Sequence, residues 1–92
     1  MKHLNIRVHG LVQGIFFRAT AKEQADRLGI SGFADNKPDG SVYLEAEGEK
    51  EQLDTFVKWC YKGPSLAKVE KVEISESPLK NFSSFEVYKQ SL

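Results

Sequence analysis

Ninety-two residues leave room for one hydrophobic core and not two. A hydrophobic fraction of 40% and a charged fraction of 28% are those of an ordinary folded domain and exclude disorder driven by charge repulsion. Thirteen Lys and Arg balance thirteen Asp and Glu, which argues against a broad electrostatic grip on nucleic acid or on an anionic membrane. No apolar run approaches the roughly 20 residues of a membrane helix, and no signal-peptide block precedes Leu4, so a cytoplasmic chain is expected. Cys60 is the single cysteine, which excludes an internal disulfide and a cysteine-rich zinc site.

Leu4, Ile6 and Val8 alternate with polar residues, the pattern of a half-buried strand that Gly10 is expected to end. Phe17, Ala21, Ala25 and Leu28 fall on one face of a helix, with Gly29 as its stop. A strand from Ile30 through Lys37 follows, then a Pro38-Asp39-Gly40 turn, then a strand through Val42, Leu44 and Ala46. Leu53, Phe56, Val57 and Cys60 form the stripe of a second helix. Glu49 and Glu51 are expected in its first turn and Lys62 in its last, before Gly63-Pro64. Val72 and Ile74 mark a further strand broken by Pro78, and Phe85 and Val87 a short terminal one.

This order predicts one α+β domain over residues 1–92, a ferredoxin-like βαββαβ sandwich. The sheet is expected to be antiparallel, with both helices on one face and a wetter face opposite. A right-handed crossover makes the first two strands parallel, with the third between them. Their C-terminal ends then share a sheet edge, roughly 10 Å apart. The loop Gly10–Phe16 and the residue Asn36 both lie on that edge.

That edge carries the candidate chemistry. Gly10 and Gly14 flank a strand-to-helix loop whose backbone N–H groups can form an anion-binding nest. Arg18 falls in the first turn of the helix, where a cation opposes the dipole unless an anion lies between them. On spacing alone, ordinary turn glycines beside a solvated arginine are the alternative. Asn36 can hold a water through one donor and one acceptor, or simply initiate the turn.

Other candidates carry less. His3 and His9 share a strand face with no third ligand, which reads as a surface pair and not a metal site. Cys60 reads as core and Asp39 as a turn residue. Ser75, Ser77, Ser83 and Ser84 have no neighbouring base pattern. Trp59 and Tyr61 are expected to rim the core, and Phe33 and Tyr43 to lie on the open face of the sheet.

Val8-His9-Gly10-Leu11-Val12-Gln13-Gly14-Ile15-Phe16-Phe17-Arg18 closely resembles the first signature of the acylphosphatase family. Gly32-Phe33-Ala34-Asp35-Asn36-Lys37-Pro38-Asp39-Gly40-Ser41-Val42 resembles the second. The separation of the two, Gly63-Pro64 and Phe85-Glu86-Val87 also fit, so the resemblance covers essentially the whole chain. It implies a metal-independent, cofactor-free hydrolase of acyl phosphates such as acetyl or carbamoyl phosphate, yielding carboxylate and inorganic phosphate with no phosphoenzyme. It assigns phosphate binding to Arg18 and to the backbone of Leu11, Val12, Gln13, Gly14, Ile15, Phe16 and Phe17. It assigns the positioning of the attacking water to Asn36. A monomer is expected, with inorganic phosphate as product and inhibitor and with no nucleic-acid or membrane partner.

Phe33 stands where the family often has Trp, and Asp35 where a basic residue is common. Regular strand alternation turns Asp35 away from Asn36. Two other classes share this architecture. One is a non-catalytic anion-binding or regulatory module, against which Arg18 and Asn36 speak. The other is a single-stranded RNA binder, against which Glu45 and Glu47 on the third strand and the zero net charge count.

Overall fold

The computed structural model describes residues 1–88. Seven elements follow in the order β1 (Lys2–Leu11), α1 (Phe17–Leu28), β2 (Ser31–Asn36), β3 (Val42–Gly48), α2 (Lys50–Lys62), β4 (Lys68–Ser77) and β5 (Phe85–Val87). They form one five-stranded sheet in the order β4-β1-β3-β2-β5, the ferredoxin-like arrangement with an added edge strand. β3 lies between β1 and β2 and is antiparallel to both, so the last residues of β1 and β2 do share one edge. β4 pairs antiparallel with β1, whereas β5 joins β2 in parallel, so the sheet is mixed at that border.

Alternation decides what is buried. Ile6 and Val8 of β1, Ala34 of β2, and Val42, Leu44 and Ala46 of β3 point beneath the helices. α1 returns Phe17, Ala21 and Ala25; α2 returns Leu53, Phe56 and Cys60. The two alanines let α1 lie close to the sheet. Phe17, Phe56 and Phe85 supply bulk, each ring contributing about 2–3 kcal/mol of apolar burial. Trp59 closes the rim against the rings of Phe17 and Phe56, while Tyr61 faces solvent. Burial pushes the Cys60 thiol well above its usual range, as befits a core residue.

Two local expectations change. Gly10 does not end β1: the strand continues to Leu11, and the pairing with β4 shifts between His9 and Gly10. A Cβ built on Gly10 would run into the Lys68 carbonyl oxygen, so glycine serves the irregularity inside the strand. At α2, Glu49 is the N-cap, one position before the helix. Its carboxylate accepts from the N3 amide while Gln52 Oε1 accepts from the Glu49 amide at 3.0 Å, a reciprocal capping box.

The larger correction concerns the second face of the sheet. His3 is 1% exposed and is no surface residue. Its Nδ1 lies 2.7 Å from Glu47 Oε2, and its Nε2 lies 3.0 Å from Glu45 Oε1. The segment between β4 and β5 covers this cluster. The Lys80 and Phe82 amides donate to Glu47 at 2.5 and 3.1 Å, and Lys80 Nζ donates to Glu45 at 2.8 Å. Phe33 packs on this same covering segment and stacks on Tyr88 at 4.6 Å between ring centroids. His9 remains partly exposed beside Glu73.

Candidate active site

Three pieces of chain meet at the shared edge of β1 and β2. The first is the loop joining β1 to α1. Gly14 and Phe16 both have left-handed backbones there, with φ of 76° and 65°. Gly14 has open space where a Cβ would stand. Phe16 caps α1 without a side-chain hydrogen bond, and no acidic residue follows in the first turn. The opening N–H groups of α1 thus receive no side-chain cap from Phe16, beside the Arg18 guanidinium.

The second piece is the end of β2. Asn36 is its last residue, paired with Val42 of β3, and Lys37 N donates to the Ser41 carbonyl at 2.9 Å to begin the turn. Asp39 accepts from Ser41 N at 2.9 Å and from Ser41 Oγ at 2.5 Å. These bonds hold its carboxyl below the usual carboxylate range, as a turn residue. Asp35 pairs with Lys37 at 3.2 Å and does not line the site.

The third piece is β5. Val87 reaches the site because β5 lies beside β2, and the Tyr88 carbonyl accepts a short hydrogen bond from Arg18 Nη1. That bond ties the side chain of Arg18 to the chain just after the edge strand β5. Neither Val87 nor the Tyr88 carbonyl was anticipated, since a three-residue strand carries no signal naming its partner. Two apolar residues at alternate positions near the end of the described chain were the only hint.

The three pieces enclose a cavity of about 260 Å³. Its polar lining is Gly14, Arg18 and Asn36; its apolar lining is Val12, Phe16, Phe17, Ala19 and Val87. Leu11, Gln13 and Ile15 do not line it. Gln13 instead turns its side-chain amide towards the β2–β3 turn, donating to the Lys37 and Ser41 carbonyls at 2.8 and 2.9 Å. Among the described residues no group of three His, Cys, Asp or Glu is arranged to hold a metal ion. No helix among them is long and apolar enough to cross a membrane.

A cavity with one guanidinium, a left-handed loop at a helix N-terminus and one carboxamide suits a small anion and a water. Comparisons with known proteins point the same way. The acylphosphatase family model matches residues 4–87. The chain is 48% identical over 77 residues to the acylphosphatase of Rubrobacter xylanophilus, spanning 84% of this chain and 70% of that one. It is 44% identical over 88 residues to that of Thermus thermophilus, spanning 96% of this chain and all of the relative. The crystal structure of acylphosphatase from Bacillus subtilis superposes with a TM-score of 0.94 at 32% identity, covering 97% of this chain and 100% of that one. The chain therefore belongs to the acylphosphatase family, whose function is the hydrolysis of acyl phosphates.

Proposed function

We propose that the chain hydrolyses acyl phosphates in the cavity between the β1–α1 loop and the end of β2. The phosphate is held by Arg18 and by backbone N–H groups of residues 11–17, and the attacking water by Asn36. The observation that carries this reading is the convergence of Gly14, Arg18 and Asn36 from separate elements on one small cavity.

The chemistry asks little of the protein. Water adds to phosphorus, the bond from phosphorus to the bridging oxygen breaks, and the carboxylate leaves with the electron pair. A carboxylate is a good leaving group, so no general acid is needed. Catalysis is then a matter of position and charge. The guanidinium fork and the loop amides neutralise the equatorial oxygens as they take up charge. Asn36 accepts from the water and orients a lone pair in line with the departing carboxylate. An amide is too weak a base to keep the proton, which passes to a phosphate oxygen of the substrate.

The remaining features are part of the same proposal. Residues 1–92 act as one domain and as a monomer, the single domain supported by one buried core shared by the sheet and both helices. No metal takes part, and inorganic phosphate competes for the substrate's place. A cytoplasmic setting belongs to the same reading. The test is steady-state hydrolysis of acetyl phosphate with and without EDTA, and with Arg18→Ala whose fold is checked by circular dichroism. Turnover indifferent to the chelator and abolished in the folded variant is expected. Metal-dependent turnover, or a variant as active as the unaltered protein, contradicts the reading.

A further inference from the structure

The proposed mechanism leaves the second face of the sheet without a task. The segment between β4 and β5 covers part of that face, where the Lys80 and Phe82 amides and the Lys80 ammonium bond Glu47 and Glu45. Beside the covered part lies a second cavity of about 280 Å³. Asn5 and Arg7 of β1, Tyr43 of β3, and Glu73, Ile74 and Ser75 of β4 line it. Among the described residues, none lines both this cavity and that of Arg18 and Asn36.

Arg7 and Glu73 stand directly opposite each other in the β1–β4 ladder. Opposite charges so placed ordinarily attract and pair. Here no ion pair joins them, because each is committed elsewhere. Arg7 Nη1 donates to Ser41 Oγ at 3.0 Å and lies 3.5 Å from Asp39 Oδ2, with the guanidinium 5.3 Å from the centre of the Tyr43 ring. Glu73 Oε1 lies 2.5 Å from His9 Nε2, and Glu73 Oε2 lies 4.0 Å from Lys71. The His9 bond and the charge of Lys71 hold the Glu73 carboxyl below its ordinary value of 4.5, so it is ionised at neutral pH. Both contacts of Arg7 leave from Nη1, so Nη2 and Nε remain to donate to a guest. Ser75 Oγ accepts from Asn5 Nδ2 at 3.4 Å, which leaves its own hydrogen to give.

That unclosed pair decides what can settle there. A simple anion drawn to Arg7 meets the Glu73 carboxylate, and a simple cation drawn to Glu73 meets the guanidinium. A molecule carrying both charges a few bonds apart satisfies both and adds no net charge. The cavity lies just below the roughly 300–1,000 Å³ of pockets for drug-sized ligands, which suits a guest of a few heavy atoms.

We infer that this second cavity is a binding site for a small zwitterion of the α-amino acid class, its carboxylate held by Arg7 and Ser75 and its ammonium by Glu73. The site is independent of the proposed hydrolysis, since it needs neither Arg18 nor turnover.

The experiment titrates the chain with L-serine, whose short hydroxyl suits the polar side chains of Asn5 and Ser75, and follows backbone amide resonances by NMR. Two analogues are compared: ethanolamine keeps the ammonium and lacks the carboxylate, and N-acetylserine keeps the carboxylate and lacks the ammonium. Serine is expected to shift the resonances of Arg7, Tyr43, Glu73 and Ser75 in a saturable way. Each analogue is expected to bind about tenfold more weakly or worse, the loss of one charge-assisted hydrogen bond. Arg7→Gln and Glu73→Gln, shown to be folded by the dispersion of the same spectra, are expected to lose the response to a similar extent. Arg18→Ala is expected to keep it, which separates this site from the catalytic cavity. No saturable response to serine, or an analogue that binds as well as serine, overturns the inference. So does a response that survives both glutamine variants or disappears in Arg18→Ala. None of these readouts uses acyl phosphate hydrolysis, so failure of the proposed function leaves them standing.

Discussion

Gln13 Nε2 donates to the Lys37 carbonyl at 2.8 Å, so the loop that opens the cavity is tied to the residue directly after Asn36. A second bond from the same amide, to the Ser41 carbonyl at 2.9 Å, reaches the other side of the β2–β3 turn. One side chain thus holds the loop and the carboxamide in register. Gln13→Ala is expected to lose about 1–2 kcal/mol of stability. It is also expected to lose on the order of tenfold in kcat/KM through misplacement alone. Gln13→Glu should do worse, since a carboxylate cannot donate and would face two carbonyl oxygens. Urea unfolding and steady-state kinetics on both variants check this; a glutamate variant matching the unaltered chain in both would contradict the bracing role.

Two glycines of the first signature should respond differently to alanine. Gly10 has φ 127°, and a Cβ there meets the Lys68 carbonyl oxygen and comes within 2.9 Å of Glu70 N, both backbone atoms of β4. Neither strand can yield without breaking the ladder, so Gly10→Ala should cost upwards of about 3 kcal/mol. Gly14 has φ 76° but open space around the added carbon. Gly14→Ala should cost only about 1 kcal/mol of stability, the left-handed penalty alone. Thermal unfolding of the pair distinguishes a packing constraint from a conformational one, and equal losses would refute the contrast.

The covered face of the sheet makes stability depend on acid. Burial pushes the Glu47 carboxyl up, but the amides of Lys80 and Phe82 together with His3 outweigh it and hold the group below its ordinary value of 4.5. Glu45 is lowered in the same way: burial opposes, while Lys80, Tyr43 and His3 prevail. A carboxyl whose folded value is depressed stabilises the fold fully above its unfolded value, and that stability is lost as pH falls through the folded one. The chain should therefore lose stability below about pH 4.5, and Glu47→Gln should flatten that slope while lowering stability at pH 7. His3→Ala leaves two buried carboxylates short of a partner and should cost about 3 kcal/mol at pH 7. Urea midpoints from pH 3 to 8 test both, and a Glu47→Gln slope as steep as the unaltered one would contradict the assignment.

Much of this was legible because it is periodic. The stripe of Leu53, Phe56 and Cys60 declares α2, and alternation assigns Ala34 to the helical face of β2 and Asp35 to the other. Since β3 lies antiparallel between β1 and β2, the right-handed crossover, not alternation, brings the loop before Arg18 and the end of β2 at Asn36 to one edge. What alternation does not contain is which later segment covers a face. Period two puts His3, Glu45 and Glu47 on the second face but is silent about residues 78–84 lying over them, so His3 read as exposed. β5 was visible as a strand but not as the neighbour of β2, because its pairing of Gly32 with Phe85 joins distant parts of the chain. The Tyr88 carbonyl that holds Arg18 follows from that pairing and was illegible for the same reason.

The division of labour between Arg18 and Asn36 is the centre of this account. In the proposed mechanism Arg18 would hold phosphate in the ground state and the transition state, whereas a carboxamide that orients water would contribute almost only to the transition state. The most direct test is Asn36→Ala, measured by calorimetry with inorganic phosphate beside steady-state kinetics with acetyl phosphate. The account predicts kcat lowered by about 100-fold or more, with phosphate still bound at near-normal affinity. A variant that turns over normally, or one that keeps kcat while losing phosphate, would contradict it.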